Sequence, residues 1–242
     1  MRQIMCNGIY DYAESRNEIL RYLGHKGQDI PQSIDEMMQV CWDILSKSAA
    51  PSHVYNIFNI SFKPDGIYIE NTKQILTGVS IRTHLDNCTQ IIIFAATLGV
   101  QADVLMRQTA VSDITKALIL DSCATQLIER YCDEIERTLT NGYNTAAFNK
   151  TARFSPGYGD FPISLQPDFI NLLNADKKIG LTCTENYMLL PRKSVTAVIG
   201  LSKGGKKAAG SSSCGINIGC NSCKNFESCM YSRKKHIAGN LR

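Results

Sequence analysis

The sequence predicts an α+β fold, a mainly antiparallel twisted sheet with packed helices, on three observations. Strand-length runs flank a Pro-Asp-Gly turn, the stretch from Ser112 to Leu139 repeats its apolar residues at helical spacing, and strands and helices alternate without βαβ regularity. In chain order, Ser33-Ile34-Asp35-Glu36 has the form of a capping box, in which a hydroxyl and a carboxylate satisfy free amides. Ile34, Met37, Met38, Cys41, Ile44 and Leu45 then place a helix to about Lys47, ended by Pro51. Tyr55 to Phe62, the turn Pro64-Asp65-Gly66 and Ile67-Tyr68-Ile69 read as a β-hairpin. Ser80 to Asn87 reads as a short helix and Thr89 to Ala96 as a strand. The long helix takes its inward stripe from Ile114, Ala117, Leu118, Leu127, Ile128, Tyr131, Cys132, Ile135 and Leu139, and stops at Asn141-Gly142. A single helix is expected from Pro167 to Lys178, with Gly180 as its C-cap. Two strands, Thr182 to Leu190 and Ser194 to Leu201, lie on either side of the turn Pro191-Arg192-Lys193.

Composition bounds the function classes. With 242 residues, 44% hydrophobic and 20% charged, the chain suits one large domain, or a domain plus an appendage, that needs no disulfide staple. The formal net charge of +4 leans on the segment past residue 200, and acids and bases are interspersed elsewhere, which is no nucleic-acid footprint. No apolar run approaches the ~20 residues of a membrane span. The first residues lack a signal-peptide core, so a cytoplasmic location is expected. Of ten cysteines, Cys6, Cys41, Cys88, Cys123, Cys132 and Cys183 are scattered and read as small buried apolar residues. The other four crowd into the tail.

The segment Ala152 to Pro162 packs one arginine, Gly157, Gly159, two prolines and Tyr158 into one short loop. It allows two readings: a surface turn whose arginine caps a helix or pairs with a carboxylate, or a site where bare backbone and a guanidinium meet a small charged ligand. The residues downstream of the loop supply context. Arg153-x-x-x-Gly157-Tyr158, then Pro162, a helix ending at Gly180, Thr184-Glu185, and Pro191 with Ser194-Val195 resembles the C-terminal activation domain of vitamin B12-dependent methionine synthase. Arg82-Thr83-His84-Leu85 and Ile93 to Gly99 resemble the helix and central strand of that domain, so the likeness spans about residues 55–201. It implies a methionine synthase activation domain-like fold over residues 1–201, with residues 1–50 and the tail more like free-standing bacterial forms. Gly159 and Phe161 stand where the fused enzymes have a Pro and a Cys.

The resemblance implies S-adenosylmethionine as ligand. Arg153 would hold its carboxylate, the backbone of Ser155, Pro156 and Gly157 would meet the adenosine, and Tyr158 would pack near the nucleoside or sulfonium. An acidic residue of the long helix would complete the site, with Glu129 or, in another register, Thr125 at that position. The implied task is reductive remethylation of inactive cob(II)alamin, with an electron from a flavodoxin- or ferredoxin-type donor and a methyl group from S-adenosylmethionine, in methionine biosynthesis. Because no Asp-x-His-x-x-Gly cobalamin motif, phosphate loop or nucleophile elbow is present, the chain is expected to act as an activation subunit. It would serve a separate cobalamin-bearing methionine synthase or corrinoid protein. The alternative is a non-catalytic, metal-bearing adaptor or sensor of a corrinoid or methyltransferase complex.

Residues 202–213 read as a flexible linker to a tail, 214–242, in which Cys214, Cys220, Cys223 and Cys229 form C-x5-C-x2-C-x5-C. Four thiolates suit zinc or an iron–sulfur cluster, and free thiols on a disordered tail are the other reading.

Overall fold

The computed structural model describes residues 10–142 and 148–203. The four tail cysteines, Cys6 and the linker beyond Lys203 lie outside these residues. The elements are α1 (Tyr12–Tyr22), α2 (Gln32–Ser48), β1 (Ser52–Lys63), β2 (Gly66–Ile69), β3 (Ile75–Leu76), α3 (Val79–His84), β4 (Gln90–Thr97), α4 (Val100–Ser112), α5 (Ile114–Gly142), β5 (Phe148–Lys150), α6 (Gln166–Leu173), α7 (Ala175–Ile179), β6 (Thr182–Cys183), β7 (Leu189–Leu190) and β8 (Ser194–Lys203). Six strands form one sheet in the order β3-β2-β1-β4-β8-β5, with β6 and β7 paired apart from it. Every strand pairing among the described residues is antiparallel, as the α+β expectation requires.

Both faces of the sheet are covered, and this explains why β4 reads as an unbroken apolar run. Ile92, Phe94 and Ala96 point into a core shared with α1, α2, α4 and α5. Ile91, Ile93 and Ala95 point into a second core shared with α6 and α7. In β8, Ala197 and Ile199 join the first core and Val198 the second. A strand buried on both sides has no polar face to show.

Several expectations are corrected. The capping box does not form: Pro31 occupies the N-cap of α2, no side chain caps it, and Gln32 Nε2 donates to Glu36 Oε1 at 2.8 Å. Ile114 and Leu118, expected in the inward stripe of α5, are 80% and 60% exposed; Ile119 and Leu120 beside Leu118 are buried in the first core, so Leu118 lies off the face that α5 buries. The helix over 167–178 is two helices, broken at Asn174, which takes a left-handed conformation (φ 51°) and closes α6. Gly180 caps α7, also left-handed, as expected. The strand over 182–190 is instead a small hairpin, with Thr182 opposite Leu190 and Cys183 opposite Leu189. β8 continues through Ser202 and Lys203, residues expected in the linker. The elements α1, α4, β3 and β5 have no counterpart in the expected set. For α1 a signal exists: Asp11 accepts from the backbone N–H of Ala13 and Glu14, a cap that contributes on the order of 1 kcal/mol.

Helix α3 has Gly78 at its N-cap and therefore no side chain of its own to cap it. Asp160 supplies one from the 153–162 loop: its carboxylate accepts from Val79 N at 2.7 Å and Ser80 N at 2.8 Å. The Ser80 hydroxyl and these amides hold the Asp160 carboxyl down to about 2, below its ordinary 3.8. A lowered folded-state pKa gives stability that is present above the unfolded value and lost as pH falls through the folded one. Asp160→Ala should therefore lower the melting temperature at neutral pH, and its gap to wild type should close between about pH 4 and about pH 2. A gap unchanged across that window in pH-dependent thermal melts would remove Asp160 from this role.

Candidate functional site

The loop that carries the sequence motif starts at the sheet. Phe154 forms a bridge with Val198 of β8, each N–H donating to the other's carbonyl at 2.9 Å. Beyond it the chain turns tightly: Tyr158 N donates to Ser155 O at 3.1 Å, Gly157 N to Phe161 O at 2.8 Å, and Phe161 N to Tyr158 O at 2.9 Å. Gly157 and Gly159 have φ of 97° and 57°. The second value explains why no proline stands at 159 here, since the pyrrolidine ring locks φ near −65°. Phe161 is 1% exposed and packs, with its ring tilted, between Phe154 and Phe169 at ring distances of 6.0 and 6.2 Å, so its side chain belongs to the second core.

Arg153, the residue before this bridge, reaches α5. Its Nη2 donates to Glu129 at 3.0 Å, and its Nη1 meets Asp133 at 2.8 Å and Glu136 at 2.9 Å. These acids sit at i, i+4 and i+7, one face of a helix. Three carboxylates meet one guanidinium, and Lys150 adds a second positive charge near Glu136. Burial pushes the carboxyls of Glu129 and Glu136 above their ordinary value, with Arg153 opposing the rise in each and Asp133 adding to it. The Arg153 side chain is 10% exposed.

Beside this cluster a cleft of about 550 Å³ opens, lined by Arg153, Ser155 and Tyr158 of the loop, Glu129 of α5, Gln166 at the start of α6, Leu189 of β7 and Ser194 to Thr196 of β8. Arg21 and Tyr22, at the end of α1, form the remaining wall. The size is that of a small-molecule site. Glu129, Arg153, Ser155 and Tyr158 are thus brought together, whereas Pro156 and Gly157 do not line the cleft and Gly157 packs against Ile163. Thr125, the other register for the acidic position, is absent from the lining and its hydroxyl accepts from Lys193 Nζ at 2.8 Å. Gln166 is buried, its carbonyl oxygen taking the Thr196 hydroxyl. Sequence reasoning misses Arg21, Tyr22 and Gln166. No local motif marks them, and only packing carries them to the cleft.

His84 is buried with Nε2 hydrogen-bonded to Ala152 O at 2.9 Å, and His53 Nδ1 meets Tyr131 Oη at 2.8 Å. His84 is a satisfied core histidine, and His53 is half-buried. Cys41, Cys88, Cys123 and Cys132 are buried free thiols, and Cys183 is half-buried. Among the described residues no group of three or more His, Cys, Asp or Glu is arranged to hold a metal ion, and no helix is long and apolar enough to cross a membrane.

Among the described residues, the guanidinium of Arg153 is the cation that meets all three of these carboxylates. Arg153→Met should cost on the order of 3 kcal/mol, the range for breaking a buried ion pair. The freed carboxylates then bind protons more readily folded than unfolded, so the deficit should shrink as pH falls from about 7 to about 5. Denaturant unfolding at the two pH values checks this. An equal deficit at both would mean that charge imbalance is not what destabilises the variant.

No protein family and no curated protein matches the sequence. Among solved structures, the chain is similar to the crystal structure of the MetH reactivation domain bound to AdoHcy, at a TM-score of 0.62 and 18% identity, over 83% of this chain and 76% of that one. This chain therefore has the fold of that reactivation domain.

Proposed function

We propose that the cleft binds S-adenosylmethionine and that the chain serves as an activation subunit for a separate cobalamin-bearing methionine synthase or corrinoid protein. The observation that carries this reading is a cleft of small-molecule size that presents the Glu129 carboxylate together with the exposed ring of Tyr158. A sulfonium nucleotide has a fixed positive charge, a flat base and a zwitterionic amino-acid end. Glu129 offers the anion that a sulfonium or ammonium favours, and the Tyr158 ring, 57% exposed, offers a π-face. The similar solved domain was crystallised with AdoHcy, the product that remains after methyl transfer from such a ligand.

In the proposed reaction one electron from a flavodoxin- or ferredoxin-type donor reduces cob(II)alamin on the partner. The reduced cobalt takes the methyl group from the sulfonium, leaving S-adenosylhomocysteine. This chain contributes placement: it holds the sulfonium at the cleft mouth and excludes competing orientations, without a side-chain acid or base. Arg153 acts at one remove, fixing Glu129 on α5 and keeping the loop closed on it. The four-cysteine tail, Cys214, Cys220, Cys223 and Cys229, would carry zinc or an iron–sulfur cluster.

Calorimetry with S-adenosylmethionine tests the binding. Wild type should bind, Tyr158→Ala should weaken binding about tenfold through loss of the stacked contact, and Glu129→Gln should weaken it by a similar factor. Absence of measurable binding to wild type would leave the adaptor reading in place. Anaerobic remethylation of a cob(II)alamin-loaded partner, with and without S-adenosylmethionine, tests the activation role.

A further inference from the structure

Arg153 is poorly placed to take a ligand carboxylate. Three acids already meet its guanidinium within 3.0 Å, and an incoming carboxylate would be the fourth on a single cation. The cleft has a second arginine. Arg21 lines it too, from the part of the chain outside residues 55–201, where the sequence resemblance runs. Among the described residues one carboxylate meets Arg21 at ion-pair distance, Glu18 on its Nε at 2.7 Å, and its guanidinium stacks over the Tyr22 ring at 4.4 Å from the centroid. A guanidinium held by its Nε and one face is pre-aimed, and its terminal nitrogens form a fork that suits a carboxylate.

The helix that carries it is fixed. Ile19 and Leu20 are buried in the first core. Asp35 of α2 receives Arg16 Nε at 2.7 Å and Tyr12 Oη at 2.9 Å. Glu14 pairs with Arg130 of α5 at 2.7 Å. The position of Arg21 relative to Glu129 is therefore set by packing and ion pairs. The two are near enough that Arg21 is among the charges acting on Glu129. The cleft lining thus carries a guanidinium from α1 and a carboxylate from α5.

We propose that Arg21 takes the carboxylate of the bound amino-acid end while Glu129 faces its cationic groups, so that α1 is part of the binding site and sets its preference for a zwitterion. This rests on the binding of S-adenosylmethionine proposed above. Arg21 is a specificity-determining residue in this arrangement, and Arg153 a positioning one.

The test compares S-adenosylmethionine with its decarboxylated analogue by calorimetry on the full chain. Wild type should bind the parent at least about tenfold more tightly, the worth of one charge-assisted bidentate contact. Arg21→Gln should lose that factor for the parent and change the analogue's affinity by less than about threefold, and Arg21→Lys should recover part of the loss. Circular dichroism and the melting temperature report whether α1 stays folded. If the variant unfolds, the wild-type comparison still decides, because equal affinity for the two ligands overturns the proposal. Loss of both ligands by the same factor in a folded Arg21→Gln also overturns it, as does no loss of either. Wild type that binds neither ligand would instead overturn the binding reading on which this one rests.

Discussion

The ion pairs from Arg153 to α5 are the constraint on which the site depends. They join a loop that leaves the sheet at Phe154 to a helix that packs on the sheet's opposite side from α6. Without them the loop would be held by its own turn hydrogen bonds, the bridge from Phe154 to β8, the buried Phe161 and the Asp160 cap on α3, which do not fasten it to Glu129. An arginine committed in this way supplies geometry and charge balance. It leaves recognition of a ligand's own charges to groups with spare capacity. This distinction between a residue that builds a cleft and one that meets the ligand is easily lost when a motif is transferred from another protein.

The rest of the architecture serves to bring distant segments to one place. β4 and β8 are paired along their full length and buried on both faces, so they give a rigid floor. Ser194 to Thr196, at the start of β8, form that floor beneath the cleft, and Gln166, hydrogen-bonded to Thr196, joins α6 to it. The walls come from α1 and α5, which are bonded to each other through Glu14 and Arg130. Arg21 from α1 and Glu129 from α5 then line one space sized for a small molecule.

Much of the fold was legible in the sequence wherever local signals agreed with tertiary demands. The hairpin of β1 and β2, the apolar runs of β4 and β8, the long α5 and the glycine at 180 were all visible, because turn chemistry and apolar periodicity act over a few residues. The capping box at Ser33 misled, since Pro31 took the cap position first. The break at Asn174 was hidden because asparagine tolerates a left-handed turn without advertising it as glycine does. Ile114 and Leu118 are apolar yet lie outside the core, because the face that α5 buries runs through Ile119, Leu120 and Cys123 and passes them by.

For the site, the amino-acid sequence by itself determined the loop: its arginine, its positive-φ glycines and its tyrosine come from residue type and spacing alone. Only the tertiary structure decided what those residues face. The partners of Arg153 lie 17 to 24 positions away along the chain, and Arg21 lies in a different segment altogether. Charge pairing between elements depends on the angle and register at which buried faces lock together. That register is a property of the whole packed core, and no short stretch of residues encodes it.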